Sequence, residues 1–339
     1  MGTVLRTALI GAGRLGKIHG RILGELPESR LVAVCDPDEK AAREAAGKSG
    51  ARVFADHRAM LAELGAAERP EAAVVAAPTT LHCAIARELL AAGVPVLVEK
   101  PITKTVAEAE ELVELAAGKR LALAVGHVER YNPAVVAARP FVRDVKFIEC
   151  RRVSPYPFRS TDVGVTMDLM IHDIDLILDL VGRPLESAQA VGAKILSPSE
   201  DIANARLVFA GGAVADVTAS RVSHKAERKL RIFQADAYIS LDLLEKHAVV
   251  YRKSAALMRG EIDPAKLNPT LLGLDLKAFV FSKLIDVERP AIPKVEPLRR
   301  ELEDFLAAAA AGAEPPVSGR QGLAALRAAE LILREMKVL

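Results

Sequence analysis

Short apolar runs alternate with stretches of helical period through the first third of the chain. Thr7–Ile10 is an apolar run that stops at Gly11, and a helical pattern follows from about Leu15 to Leu26. Leu31–Cys35 reads as the next strand. Ala72–Ala76 is a short buried strand with a helix after it through about Ala92, and Val94–Val98 is another. Thr105, with Glu108 three residues on, marks the start of a helix to about Ala117, and Leu121–Val125 closes the series. Strands alternating with helices predict a parallel sheet covered on both faces. Ligands in such sheets bind beyond the carboxyl ends of the strands.

After Val125 the pattern changes. Gly126–Pro133 leads into a short helix, Val145–Val153 reads as a strand, and Ser154–Arg159 is an irregular loop. Alternating stretches with tight turns follow at Ala203–Phe209, Gly211-Gly212, Val214–Arg221, Lys229–Gln234, Tyr238–Leu243 and Ala248–Arg252, predicting an antiparallel meander. Helices return at Leu276–Ile285, Leu298–Ala311 and Gly322–Lys337. On this pattern the chain divides into residues 1–125 and residues 126–339.

Between the two grammars lies Gly164–Val181, which reads as a helix stopped by Gly182 and Pro184. Most of its positions are apolar, so it is expected to be buried. Asp168, His172, Asp175 and Asp179 fall on one stripe, and Asp173 is the acid off it. Charges on a buried helix need partners or a wet cleft. Asp168 and His172 stand one turn apart, where a carboxylate can raise the proton affinity of an imidazole, an arrangement that suits a general base. An acid beside a hydrogen-bonded core histidine has the same pattern, so this stretch alone leaves both readings open.

Chemistry in the first half is more specific. Gly11-Ala12-Gly13-Arg14-Leu15-Gly16 is a GxGxxG turn between strand and helix. It supplies a tight turn, backbone access for a pyrophosphate and the positive end of a helix. Asp36 ends the second strand, at the spacing where an acid accepts hydrogen bonds from ribose hydroxyls. With Asp38 nearby and no arginine directly after, it favours NAD over NADP. The other strand-end loops, Ala77-Pro78-Thr79 through His82 and Glu99-Lys100-Pro101, complete the expected cofactor contacts. Lys100, at the end of an entirely apolar strand, can donate to a substrate hydroxyl and stabilise a developing alkoxide; a solvated turn is the plainer alternative.

Composition narrows the partners. The 339 residues carry 46 Lys and Arg against 44 Asp and Glu, a balance with no general pull toward nucleic acid or anionic membrane. No apolar run approaches membrane-spanning length, and Met1–Arg6 has no signal-peptide character. Cys35, Cys83 and Cys150 are few and scattered, as in a reduced cytoplasmic protein. No CxxC or HExxH spacing occurs, so no metal is expected, although Asp168, His172 and His127 are possible ligands.

Together Gly11–Gly16, Asp36, Glu99-Lys100-Pro101, Arg130-Tyr-Asn132-Pro133 and Asp168-Leu-Met-Ile-His172-Asp-Ile-Asp175 resemble the Gfo/Idh/MocA family of pyridine-nucleotide oxidoreductases. The resemblance runs end to end, including Glu296-Pro-Leu-Arg299. It implies an α/β fold: a doubly wound Rossmann domain, then an α/β domain on a large, mostly antiparallel open sheet that is often buried in a homodimer or homotetramer. It also implies that Lys100, Asp168 and His172 meet at the nicotinamide as catalytic groups, with Arg130, Asn132 and Arg159 among the substrate contacts. Stretches such as Met167–Asp175, Asp201–Arg206 and Arg228–Gln234 resemble more narrowly the branch that oxidises UDP-N-acetylglucosamine at C3 toward amino-substituted lipid A sugars. Arg151, Arg152, Arg159, Arg221 and Lys229 offer cations for its diphosphate. A free sugar or polyol such as inositol is the alternative substrate. Sugar-sensing regulators share the fold but are expected to lack the lysine, whereas Lys100, Asp168 and His172 are all present here.

Overall fold

The computed structural model describes residues 3–158, 163–263, 266 and 279–339. By internal contact the chain forms two compact units, Met1–Tyr131 with Val295–Glu330, and Asn132–Lys294 with Leu331–Leu339.

The first unit is built on β1 (Leu5–Ile10), β2 (Ser29–Cys35), β3 (Arg52–Phe54), β4 (Ala72–Val75), β5 (Val96–Glu99) and β6 (Leu123–Gly126). They lie in the order β3-β2-β1-β4-β5-β6, all parallel. β4, β5 and β6 are buried at every position, as expected of strands covered on both faces. The helices between them are α1 (Arg14–Glu25), α2 (Glu39–Ala46), α3 (His57–Glu63), α4 (Thr79–Ala91) and α5 (Val106–Lys119). Thr105 and Glu108 form the expected reciprocal cap on α5. Strand order reverses between β1 and β4, which places the ligand crevice at their carboxyl ends.

The second unit opens with α6 (Pro133–Ala138), β7 (Val145–Val153) and α7 (Ile171–Val181). There follow β8 (Leu185–Ala193), β9 (Ile202–Phe209), β10 (Val214–Ser220), β11 (Glu227–Gln234), β12 (Ala237–Asp242), β13 (His247–Lys253), the single turn α8 (Ala255–Met258) and β14 (Ile285–Glu288). Late in the chain come α9 (Pro297–Ala311) and α10 (Gly319–Glu335), then β15 (Met336–Val338). The sheet has nine strands, β14-β13-β12-β11-β7-β10-β9-β8-β15. Among the described residues, only β7–β10 and β8–β15 of this sheet pair in parallel. Burial alternates along β9 and β12, so one face is core. The other carries Arg206–Asp216 and Arg231–Glu149 ion pairs and a file of rings, Phe147, Phe233, Tyr238, Tyr251 and Phe281, with neighbouring centroids 4.9–6.1 Å apart.

Three expectations need correction. Residues 126–131 and 295–330 belong with the first unit rather than the second. Leu298, Leu302, Phe305 and Leu306 of α9 join the core made by Leu5, Leu9, Ile22 and Leu31, and a helical stripe shows which face is buried but not against what. The helix expected at Leu276–Ile285 begins outside the described residues. Its described part is one wide turn, Val280–Leu284, before Ile285 enters β14, where pairing with β13 and β-branched Ile285 and Val287 favour a strand. The last helix ends at Glu335, and Met336–Val338 continues as an edge strand on β8. β8 itself was not expected, because Ala and Gly occupy its buried positions and give weak strand signals.

Candidate active site

In the first unit the GxGxxG turn joins β1 to α1. Gly11 has φ +97°, and a Cβ there would lie 2.6 Å from the Ala76 and Ala77 backbone. A Cβ on Gly16 would lie 2.0 Å from the Gly11 carbonyl oxygen, so helix and loop approach as closely as they do only with glycine. Gly13 differs: a Cβ there would meet nothing within 4 Å, so the backbone faces open space. It caps α1 with no side-chain hydrogen bond and no acid in the first turn, which leaves the helix's first N–H groups for an anion. Ala12 is buried, while Arg14 and Leu15 are exposed on that turn.

Asp36 stands beside this turn at the end of β2. The Ala12 amide donates to its Oδ2 at 2.6 Å and the Asp38 amide to its Oδ1 at 2.9 Å. These bonds fix the carboxylate and leave a lone pair on each oxygen for a ribose diol. The turn and the acid therefore fit a dinucleotide.

The loop after β4 is tied to the loop after β5 by His82. Its ring contacts the Ala77 carbonyl oxygen at 2.8 Å through Nε2 and the Pro101 carbonyl oxygen at 2.9 Å through Nδ1. His82 is buried and both ring nitrogens contact carbonyl oxygens, so it ties the two loops together. Pro78 caps α4 and Thr79 begins it. Glu99 is also turned inward: the His19 Nε2–H donates to its Oε1 at 2.7 Å, and the Lys100 amide to its Oε2 at 3.2 Å. Lys100 is half-buried at the carboxyl end of β5, and its bond to Pro101 is cis.

In the second unit a wide π-type turn, Thr166–Met170, leads into α7, and Gly182 ends it at φ +63°. Asp168 and His172 are half-buried on this element. The other acids of the helix are buried or paired, as charges on a buried helix require. Asp175 is buried, and Asp179 pairs with Arg139. Asp173, off the stripe, is buried and bound by Arg152 in a two-pronged pair at 2.7–3.0 Å, the partner a buried charge requires.

The structure places the other expected substrate contacts as follows. Asn132 is buried; its Oδ1 caps α6 by accepting the Ala134 amide at 3.1 Å, and its Nδ2 donates to the Leu243 carbonyl at 2.9 Å. Arg130 is buried in the turn Val128–Tyr131. Arg221 is fully buried and binds Asp201 at 2.8 Å, the Ser197 and Ser199 hydroxyls at 2.7 and 3.0 Å, and the Val163 carbonyl at 2.8 Å. Neither Arg152 nor Arg221 is therefore a surface cation awaiting a diphosphate. Arg159 lies outside the described residues. Among the described residues, no three His, Cys, Asp or Glu side chains gather as metal ligands do.

A parallel 3-2-1-4-5-6 sheet, a glycine turn at its switch point and a strand-end acid define a dinucleotide-binding α/β protein. Residues 5–127 match the oxidoreductase family with an NAD-binding Rossmann fold, and residues 144–240 match the GFO/IDH/MocA C-terminal domain. A UDP-N-acetylglucosamine 3-dehydrogenase of Acidithiobacillus ferrooxidans is 34% identical over 325 residues, 95% of each chain. A solved structure of that enzyme superposes with a TM-score of 0.84 at 32% identity, covering 98% of this chain and 97% of the other. An inositol 2-dehydrogenase of Rhizobium meliloti is 24% identical over 98% of this chain and 97% of its own. The chain belongs to the Gfo/Idh/MocA family of oxidoreductases, and its cofactor is NAD.

Proposed function

We propose that this protein oxidises a secondary hydroxyl of a nucleotide sugar, with UDP-N-acetylglucosamine at C3 as the substrate and a 3-keto sugar bound for amination toward a lipid A sugar as the product. One observation carries the chemistry: Lys100 stands at the carboxyl end of β5, next to β4 and the switch point. The end-to-end relationship to the Acidithiobacillus enzyme supports the substrate. NAD, which Gly11–Gly16 and Asp36 would hold, would supply the hydride acceptor for the substrate C–H bond, which breaks with its electron pair. The hydroxyl proton leaves at the same carbon's oxygen, and C=O forms. Lys100 donates a hydrogen bond to that oxygen and stabilises its developing charge. His172 takes the proton, since an imidazole titrates near neutral pH, and Asp168 steadies the imidazolium. Gly11–Gly16 and Asp36 hold phosphates and ribose.

The half-exposed outer face of the nine-stranded sheet, with its ring file and paired charges, is proposed as the contact between copies in a homodimer or homotetramer. Cys35, Cys83 and Cys150 are buried thiols, and no described helix is long and apolar enough to cross a membrane; both support a cytoplasmic location.

Reduced-nicotinamide absorbance with NAD and a panel of UDP-sugars and polyols tests the reading. UDP-N-acetylglucosamine should give NADH. Faster turnover of inositol would favour the polyol reading that the Rhizobium relative supports, and thermal stabilisation by a sugar without turnover would favour a sensor. Lys100→Met should lower turnover on the order of a hundredfold or more. Activity should rise with pH through one ionisation near neutrality, and His172→Asn should remove that limb. A limb that survives His172→Asn and disappears in Lys100→Met reverses the two roles.

A further inference from the structure

The apolar strand β5 ends in a buried carboxylate, and the proposed chemistry makes no direct use of it. Glu99 is 8% exposed and accepts from two donors, His19 on α1 and the Lys100 amide. His19 is 0% exposed, three residues beyond Gly16 on α1, the helix that the GxGxxG turn opens. Across the sheet Glu99 pairs with Gly126, where a Cβ would lie 2.7 Å from the Glu99 Oε2. The space for this carboxylate thus depends on a glycine in the neighbouring strand.

Stability alone is a poor reason for such a pair. Burying two ionisable groups costs solvation that their attraction often fails to recover, and apolar replacements are frequently neutral or better. The position is more informative. The carboxylate touches the phosphate-binding helix on one side and the backbone of Lys100 on the other. Burial pushes the Glu99 carboxyl up, but the His19 hydrogen bond and charge, followed by the Lys100 amide and charge, hold it below the usual carboxylate range. It is an anion beside the lysine. The groups packed around it are His19 from α1, Lys100 in its own loop and Gly126 from β6, while on the β4 side Val75 faces Val98.

We propose that His19 and Glu99 are positioning residues for Lys100: through one buried hydrogen bond they lock the lysine's loop to the cofactor helix and keep a negative charge beside its ammonium. This rests on the role given to Lys100 above. Glu99→Gln keeps the shape and removes the charge. His19→Gln keeps a donor, and His19→Leu removes it. In Glu99→Gln and His19→Leu, kcat at saturating NAD and substrate should fall about tenfold or more. NADH affinity should stay within about threefold, because Gly11–Gly16 and Asp36 are untouched. His19→Gln should restore kcat to within about threefold of wild type.

A second readout needs no substrate. Acetylation of Lys100 by acetic anhydride at fixed pH, followed by peptide mass spectrometry, reports how accessible that side chain is. Loosening of its loop in Glu99→Gln should change the rate on the order of threefold to tenfold, with other lysines unchanged. Wild-type kcat together with wild-type Lys100 labelling in folded, NADH-binding Glu99→Gln would overturn the proposal and leave the pair a strut of the fold. If wild-type protein turns over none of the sugars offered, the substrate reading fails, and the labelling result alone still decides the role of Glu99. If His19→Leu does not fold, the isosteric Glu99→Gln decides.

Discussion

Replacing Asp36 should narrow or reverse the cofactor preference, and the size of the change can be worked from the carboxylate's surroundings. Two of its acceptor sites are occupied by the Ala12 and Asp38 amides at 2.6 and 2.9 Å, and about two remain for the ribose hydroxyls. Hydrogen bonds to a charged group contribute about 1.5–3 kcal/mol each in buried settings. Asp36 is only half-buried, so about 2–3 kcal/mol for the pair is reasonable, or roughly 30- to 150-fold in Kd. A 2′-phosphate dianion beside the same carboxylate would be repelled by about 2 kcal/mol at the high dielectric of a solvent-facing site. Asp36→Ala removes the repulsion and the 2′-hydroxyl bond, while the 3′-hydroxyl bond is lost to both cofactors, so the NADH-to-NADPH affinity ratio should swing by roughly two to three hundredfold, and less as salt screens the repulsion. Asp36→Asn should fall between, because its amide nitrogen cannot accept from a backbone N–H. Fluorescence titration of both reduced cofactors, with a melting curve to confirm folding, measures the ratio. A wild-type protein that binds NADPH as tightly as NADH, or a ratio unmoved by Asp36→Ala, would refute the reasoning.

Two further perturbations act on the second unit. Arg221→Met leaves the buried Asp201 without its cation, a change that costs about 3–5 kcal/mol. Asp201 keeps the Ile195, Leu196 and Ser197 amides, so the low end applies, and the melting transition should drop by about 6–12 °C. Burial raises the Asp201 carboxyl, but Arg221, the loop amides and the Ser197 hydroxyl more than reverse this and hold it far below 3.8. Its stabilisation is therefore complete above that unfolded-state value and is lost as pH falls below it; acid melts of Arg221→Met should show a shallower loss than wild type. Tyr251→Glu, in the middle of the ring file, should shift sedimentation toward monomer without changing the melting of the first unit, and an unchanged assembly would remove the outer face as the contact.

The parts of this protein legible in sequence are those with local causes. A turn needing φ > 0, a cap three residues from its partner and an apolar strand between two helices leave their signatures within a few positions. Thus Gly11–Gly16, Asp36, the α5 cap and the parallel sheet could all be read. The buried polar pairs were not legible, because their partners are distant in the chain: His19 and Glu99 are 80 positions apart, Arg152 and Asp173 21, Arg221 and Asp201 20. Arg221 therefore looked like a surface cation and Asp173 like an exception to a stripe. That His82 ties two loops together was likewise not legible, since only tertiary structure shows that two carbonyls hold its ring. Asn132 could have been read correctly, for Asn before Pro at a helix start is a capping signal.

The return of α9 to the first unit sets an order of events on the ribosome. Leu298, Leu302, Phe305 and Leu306 belong to the same core as Leu5, Leu9 and Leu31, yet they are synthesised after Asn132–Lys294, nearly all of the second unit. At ~5–20 residues per second, about ten to thirty seconds separate Tyr131 from Phe305. During that interval the nascent nucleotide-binding sheet has its strands and crossover helices but lacks part of its apolar cover. Its cofactor turn is already encoded, while the floor beneath it is unfinished. The first unit to emerge is thus completed only once α9 and α10 have been made.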